Sequence, residues 1–494
     1  MSDQRRPAGR QPDLGDMDVG DFRDAAHGVA DRVADYLDGL ERLPVVPRVR
    51  PGDVRAQLPA QAPARGEPLE RILDDYARLI EPNVTHWQHP GFMAYFSSTA
   101  SGPAILGEWL AAGLNSNVMF WSNAPASTEL EQTVIDWLRR MYGLPAEFDG
   151  MLCDTASVSS LLALVAARHA VPGLDSRRRG LAGRDDVGPL VLYVSAEAHM
   201  SIDKAAIVIG VGTDGVRRVP VDEDFRMRPD ALRRAIAEDR AAGRQPFCVV
   251  GTLGTTSSTS IDPAGALADI CQAEGLWLHL DAAYGGNAAI VPEYRGLFAG
   301  WERAQSIVVN PHKWMFTPFD ASLLLFRDAE AFRAAFSIVP DYISTPSGDV
   351  RNYNEYGIQL GRRFRALKLW MQIRWFGVEG LASRIHEHCR MAQELTAWVD
   401  ADSEWERMAP VPLSTVCFRW IGRGELSDDV VEAVNRGILE AVNATGRYYL
   451  SPTRLAGRYT LRVTIGNPRQ TMTHVRGVWE ALREAAADVV HGGS

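Results

Sequence analysis

The sequence predicts an α/β fold: a mostly parallel sheet covered by helices on both faces, with a helical arm before it and a small α+β unit after it. From about Gly150, short apolar and partly β-branched runs alternate with helix-length segments, the pattern of a sheet threaded through helical crossovers. The runs are 190–194, 216–221, 247–252, 276–280, 306–309 and 322–326. Two long helical patterns follow at 361–376 and 378–400. The tail then reads strand at 413–420, helix at 428–444, hairpin at 448–450 and 460–465, and helix at 473–489.

The segments before the sheet are read in the same way. Residues 1–18 are rich in Pro, Gly and charge and are expected to be disordered. Residues 19–42 carry helical spacing, with Phe22, Val29, Val33, Tyr36 and Leu40 on one stripe. The Pro-rich stretch 43–68 reads as an extended connection, and helical patterns resume at 69–80, 106–114 and 130–141. The resulting layout is a tail (1–18), an N-terminal helical arm (19–100), a large α/β domain (101–376) and a small α+β domain (377–494).

Composition narrows the function classes. The chain has 494 residues, 46% of them apolar and 23% charged, enough for a large core. Lys and Arg total 52 against 62 Asp and Glu, a net charge of −10, so no basic surface suits nucleic acid or anionic lipid. Cys153, Cys248, Cys271, Cys389 and Cys417 are scattered with no CxxC pair, which suggests neither a disulfide framework nor a zinc site. The first residues lack the apolar core of a signal peptide, and no apolar run approaches the roughly 18 residues of a membrane span. A cytoplasmic enzyme with no membrane partner is the expectation.

Open α/β sheets place ligands at the carboxyl ends of their strands. Four candidate groups sit there: Asp281-Ala282-Ala283-Tyr284 after 276–280, Asn310-Pro311-His312-Lys313-Trp314 after 306–309, Asp154-Thr155-Ala156-Ser157 before the apolar helix at 161–167, and His199 after 190–194. Lys313 lies 32 residues beyond Asp281, about one strand–crossover–strand unit, which sets two strand ends side by side. A lysine on an apolar ledge loses solvation and gains nucleophilicity, and a neighbouring carboxylate can hold a protonated pyridine nitrogen. That pairing is the protein side of pyridoxal phosphate chemistry. Thr155, Ala156 and Ser157 open a helix, where free amides and the positive dipole end suit a phosphate. The flat ring of His199 suits stacking on the cofactor. Singly, each has an ordinary reading as surface charge, turn former or cap; their order and spacing on strand ends carry the joint one.

The motifs around these residues resemble those of the pyridoxal-phosphate-dependent group II amino acid decarboxylases, and most nearly the aromatic L-amino acid decarboxylases, over about residues 69–482. They are Asn-Pro-His-Lys-Trp at 310–314, the stretch 277–284, Gly-Thr-Leu-Gly-Thr-Thr at 251–256, Leu-Gly-Arg-Arg-Phe-Arg at 360–365, Thr-His-Trp at 85–87 and Ala-Tyr-Phe at 94–96. The resemblance implies the fold type I architecture of pyridoxal-phosphate-dependent transferases. It implies that Lys313 carries the cofactor as a Schiff base, Asp281 pairs with the pyridinium, His199 stacks on the ring with Thr256 near it, and Ala283 packs against it. Thr155, Ala156, Ser157 and Asn310 would hold the phosphate, with His312 beside them. Trp87, Tyr95 and Phe96 would line the substrate pocket, with Asn117 and Met119 reaching in from a partner subunit of a homodimer.

The implied reaction is decarboxylation of an aromatic L-amino acid to its arylalkylamine. The segment 336–353 matches the family's catalytic loop, and Tyr342 sits where decarboxylases carry the tyrosine that protonates the substrate Cα. Gly361 matches indole-preferring relatives, favouring tryptophan or 5-hydroxytryptophan over Dopa, tyrosine and phenylalanine. Val158 and Ser159 after the phosphate serine, Ser97-Ser98 in the arm, Met119 and Met200 depart from the pattern and bear on substrate choice. Three other readings stay open: an aromatic acetaldehyde synthase, a decarboxylase of a non-aromatic amino acid, and a catalytically silent protein on the same fold.

Other signals carry no chemistry. Gly210-Val211-Gly212-Thr213-Asp214-Gly215 satisfies G-x-G-x-x-G but follows a helical pattern and leads into a strand, the reverse of a dinucleotide site. His386 and His388 lie about 200° apart around a helix and cannot share one metal ion, so a solvated face is expected there. His86 and His89 lack a third ligand, and no metal is expected. Trp109, Trp121, Trp137, Trp370 and Trp375 are read as core residues.

Overall fold

The computed structural model describes residues 16–338 and 350–492. Its centre is a seven-stranded sheet of β1 (Asp149–Cys153), β2 (Leu190–Ser195), β3 (Val216–Val219), β4 (Gln245–Thr252), β5 (Trp277–Asp281), β6 (Ser306–Val309) and β7 (Ser322–Phe326), in the order β1-β7-β6-β5-β4-β2-β3. β3, β2, β4, β5 and β6 run parallel; β7 is antiparallel to both its neighbours, β6 and β1. All residues of β2, β5, β6 and β7 are buried, so the sheet is covered on both faces and its strands read as continuous apolar runs. The helix Ala156–His169 lies across β4 to β7, and Pro229–Ala241 and Ala264–Glu274 pack on the sheet near β4.

The ends of β5 and β6 are tied together tightly. Asp281 pairs with Val308, and Asn310 N donates to Ala283 O at 2.9 Å. Between them the chain turns through the 3-10 segment Gly285–Ile290 rather than through a regular helix. A Cβ on Gly285 would lie 2.3 Å from Leu253 O, and one on Gly286 would lie 2.8 Å from the Ala282 Cβ, so only glycine allows this close approach. Asn287, fully buried, donates from Nδ2 to Tyr284 O (3.0 Å) and Asn310 O (3.2 Å), joining the two strand ends through one side chain.

After the sheet, residues Ala366–Ala401 form a long helix interrupted at Gly377, whose φ of 65° and ψ of 171° are not helical. This merges the two helical patterns expected at 361–376 and 378–400. A second sheet follows, β8 (Trp405–Arg407), β9 (Thr415–Trp420), β10 (Ser451–Leu455) and β11 (Arg458–Thr464), antiparallel in the order β10-β11-β9-β8. Its core gathers Leu395, Trp405, Phe418, Ile438, Leu461 and Trp479.

Several expectations are corrected. The hairpin's first arm is 451–455 and not 448–450; it reads polar because it is an edge strand with Pro452 in it. Residues 448–450 pair instead with the N-terminal arm, Tyr449 N donating to Gly91 O and Met93 N to Tyr449 O. The stretch 43–68 contains the short helix Asp53–Gln57. His388 is not on a solvated face: it is buried, with Nδ1 accepting from Trp314 Nε1 at 3.0 Å and Nε2 against Asn467 O at 3.1 Å. Trp109 and Trp375 are exposed, and Trp121, Trp137 and Trp370 only half-buried; the tryptophans of the core are Trp277, Trp301, Trp314, Trp405, Trp420 and Trp479. The segment 210–215 is a turn, with Gly210 and Gly212 at positive φ leading into β3. Among the described residues no helix is long and apolar enough to cross a membrane.

Asn287→Ala removes one side-chain hydrogen bond from each of two buried carbonyls, both of which keep a backbone donor, and at about 0.5–1.5 kcal/mol for each bond it is expected to lower stability by about 1–3 kcal/mol. Thermal unfolding checks this; an unchanged melting temperature would show that the strand ends hold together without it.

Candidate active site

The end of β6 turns into the four-residue helix Pro311–Trp314, and Lys313 N donates to Asn310 O at 3.0 Å. The whole chain contains three lysines: Lys204, Lys313 and Lys368. Lys204 is exposed, and Lys368 is buried in an ion pair with Glu108 (2.7 Å). Lys313 alone sits half-buried with no carboxylate in hydrogen-bond contact among the described residues. Its Nζ lies 5.2 Å from the Phe96 ring centroid. Burial pushes its ammonium pKa down; Asp281 opposes this shift and the charge of Arg462 adds to it.

Asp281, buried at the end of β5, accepts at Oδ1 from Ala283 N (3.1 Å) and has no cation in salt-bridge contact among the described residues. Behind it His279 spans Ser306 Oγ (2.9 Å) and Ser160 Oγ (3.1 Å), linking β5, β6 and the helix Ala156–His169. Burial pushes His279 down to about 4, so it is a neutral spacer at physiological pH. His199 follows β2. Its Nδ1 accepts from Ser201 N at 3.2 Å and faces Ser201 Oγ at 2.9 Å, which leaves the ring proton on Nε2. Burial lowers its pKa, Asp281 opposes that shift, and Lys313 reinforces it, so the three groups share one electrostatic neighbourhood. His312 accepts from Ala321 N (3.0 Å) and is pushed by burial to about 3.

One side of this ledge is open to an anion. Thr155 caps the helix Ala156–His169 without a side-chain hydrogen bond, and the amides of Ala156 and Ser157 fall in the first turn, where helices offer no internal acceptor. Ser157 is exposed and Thr155 half-buried. Asn310 is buried with its side-chain oxygen unpaired. Free helix amides, hydroxyls and an unpaired buried amide suit a phosphate, and Asp281 suits a protonated ring nitrogen, so these residues fit pyridoxal phosphate. Ala283 lies beside Asp281, and Thr256 is exposed on the loop after β4.

The arm forms a second wall. Trp87 stacks on Tyr95 (6.1 Å, 22°), and Phe96 stacks on Tyr284 (3.9 Å, 12°), which stacks in turn on Trp314 (4.5 Å, 5°). Trp87 and Tyr95 are themselves exposed. Asn117, Met119 and Gly361 gather elsewhere: Asn117 Oδ1 accepts from Arg362 N (2.9 Å), and Met119 O accepts from Asn354 N (3.0 Å). The fully buried Arg362–Glu131 pair (2.5 Å) anchors that group. Among the described residues no hydrogen bond joins it to Lys313, Asp281 or His199. Tyr342 lies outside the described residues.

Sequence reasoning missed the small domain's share. Arg462 of β11 reaches the Phe96 ring at 4.8 Å, and Ser414 holds the Tyr284 hydroxyl at 2.6 Å. Neither stands in a motif; an arginine within an otherwise buried strand pattern was the only available signal.

A lysine and a carboxylate on adjacent ends of parallel strands, beside an open helix N-terminus, define a cofactor-dependent α/β enzyme of the lysine-Schiff-base class. Residues 51–421 match the model of the pyridoxal-dependent decarboxylase conserved domain. The chain is 38% identical to phenylacetaldehyde synthase of Arabidopsis thaliana (96% of this chain, 98% of that protein) and 38% identical to aromatic-L-amino-acid decarboxylase of Sus scrofa (96% and 98%). It superposes with a TM-score of 0.90 on Catharanthus roseus tryptophan decarboxylase in complex with L-tryptophan, at 36% identity over 96% of this chain and all of that one. The chain belongs to the pyridoxal-dependent decarboxylase family, within its aromatic amino acid branch, and is a pyridoxal-phosphate-dependent carboxy-lyase.

Proposed function

We propose that the protein decarboxylates an aromatic L-amino acid, tryptophan or 5-hydroxytryptophan before Dopa, tyrosine or phenylalanine, to the arylalkylamine. The observation that carries this reading is Lys313, half-buried, without a carboxylate partner among the described residues and set over Phe96. The chemistry that pyridoxal phosphate supplies when bound is an electron sink for the charge left at the substrate Cα. Asp281 holds a proton at the ring nitrogen. Lys313 Nζ, whose charged form burial disfavours, is the attachment point. Thr155, Ala156, Ser157 and Asn310 hold the phosphate, with His312 neutral behind them. His199 presents a flat face with its proton on Nε2, and Ala283 and Thr256 border the ring. Trp87, Tyr95 and Phe96 give the substrate side chain an aromatic wall. Gly361 has no side chain, and even a Cβ there would touch only Asn117 Nδ2, at 3.9 Å, which leaves volume for an indole.

The protein acts as a homodimer in this reading. The helix Val19–Gly39 leaves Val19, Phe22, Val29 and Val33 exposed in the protomer, as Gly102–Leu114 leaves Leu106, Trp109, Leu110 and Leu114. A second copy covering these faces would bring Asn117, Met119 and Gly361 to the partner's site; sedimentation at the mass of two chains checks it.

Incubation of the protein and pyridoxal phosphate with tryptophan, 5-hydroxytryptophan, Dopa, tyrosine, phenylalanine, histidine and glutamate is expected to give arylalkylamines, tryptamine or serotonin foremost. Lys313→Ala is expected to abolish both turnover and the cofactor's visible absorbance. Amine formation by that variant at the normal rate would overturn the assignment.

The 38% identity to a phenylacetaldehyde synthase favours a second reading, oxidative formation of the aldehyde. Tyr342, where the resemblance places the proton-donating tyrosine, argues for the amine. Tyr342→Phe is expected to move product from amine towards aldehyde, ammonia and peroxide; a variant still making amine alone would remove that role from Tyr342.

A further inference from the structure

A buried arginine of the small domain borders the lysine. Arg462 lies in β11 opposite Cys417 and is 3% exposed. Its Nε donates to Ser257 O (2.9 Å) and its Nη1 to Tyr95 O (2.5 Å). Among the described residues the third nitrogen, Nη2, is buried without a partner, and no carboxylate lies within ion-pair distance of the group. The guanidinium carbon sits 4.8 Å from the centroid of the Phe96 ring, and Lys313 Nζ sits 5.2 Å from the same centroid. A buried cation without an anion is costly, and Ser257 O and Tyr95 O need only neutral donors. The charge therefore answers to the site and not to the packing.

We propose that Arg462 is a positioning residue for the Lys313 site: it fixes the Tyr95 backbone and the Ser257 loop beside Thr256, and it holds a second positive charge against the ring that Lys313 shares. The inference rests on reading Lys313 as the cofactor lysine. Around Lys313, Asp281 on β5 favours the charged amine, while neutral His199 and His312 bring no charge, so Arg462 is the cation that opposes protonation. Cys417 and Tyr284, both neutral, face Arg462 besides Lys313 across the Phe96 ring. The small domain thereby acts on Lys313 through the substrate arm.

The test uses the full-length chain freed of cofactor and follows acetylation of Lys313 by acetic anhydride against pH, read by mass spectrometry with exposed Lys204 as internal control. Removing a positive charge within about 10 Å is expected to raise the Lys313 midpoint by about one pH unit in Arg462→Met, while Arg462→Lys keeps it near the wild type. Hydrogen–deuterium exchange at residues 95–97 and 257 is expected to quicken several-fold in both variants, because neither can make the two-point fork. A Met variant with an unchanged midpoint overturns the proposal. Should that variant not fold, unchanged exchange in Arg462→Lys overturns it equally. Failure of pyridoxal phosphate to attach to Lys313 would sink the functional reading alone, since the acetylation midpoint is measured without it.

Discussion

The parallel pairing of β5 with β6 is the constraint on which the site depends. Asp281 and Lys313 are 32 residues apart in sequence and meet because Asp281 lies opposite Val308, with Lys313 five residues further on. Every nearby detail serves that register. Gly285 and Gly286 let the chain turn back against the end of β4, Asn287 bonds both strand ends, and His279 pins the strands to the helix Ala156–His169. Because parallel strands end on the same side of the sheet, one register places carboxylate, amine and helix N-terminus together.

The other half of the site comes from the arm and the small domain. Phe96, Tyr284 and Trp314 form a stack that begins under Lys313 and ends at His388, whose other ring nitrogen meets Asn467 O. Asn467 also donates to the arm at Gln88 O and His89 O, and Gln470 donates to Pro90 O. The arm, too short on core to stand alone, is thus held by the segment 467–470 and by residues 448–450. Two domains with separate cores converge on one lysine.

What was legible in the sequence were features that depend on local order. Strand runs appear as apolar stretches because both faces are covered, and reactive residues just past them mark the ligand edge; Lys313, Asp281, His199 and Thr155 all announce themselves in this way. What was hidden depends on distant partners. His388 reads as solvated because its burial comes from Trp314 and Asn467, 74 and 79 residues away along the chain. The strand 451–455 reads as polar because an edge needs only one apolar face. Exposed Trp109 reads as core because sequence pattern registers apolarity without saying what supplies the cover. Arg462 shows only as a charge within a buried strand pattern, since its partner Tyr95 lies 367 residues before it.

The account stands most directly on where the cofactor attaches. Reducing the loaded protein with borohydride, which converts an imine into a stable secondary amine, and mapping the adduct by mass spectrometry distinguishes all three lysines at once. The account predicts the pyridoxyl group on Lys313, with Lys204 and Lys368 unmodified. An adduct on Lys204 or Lys368, or none on a protein that holds the cofactor, would contradict it.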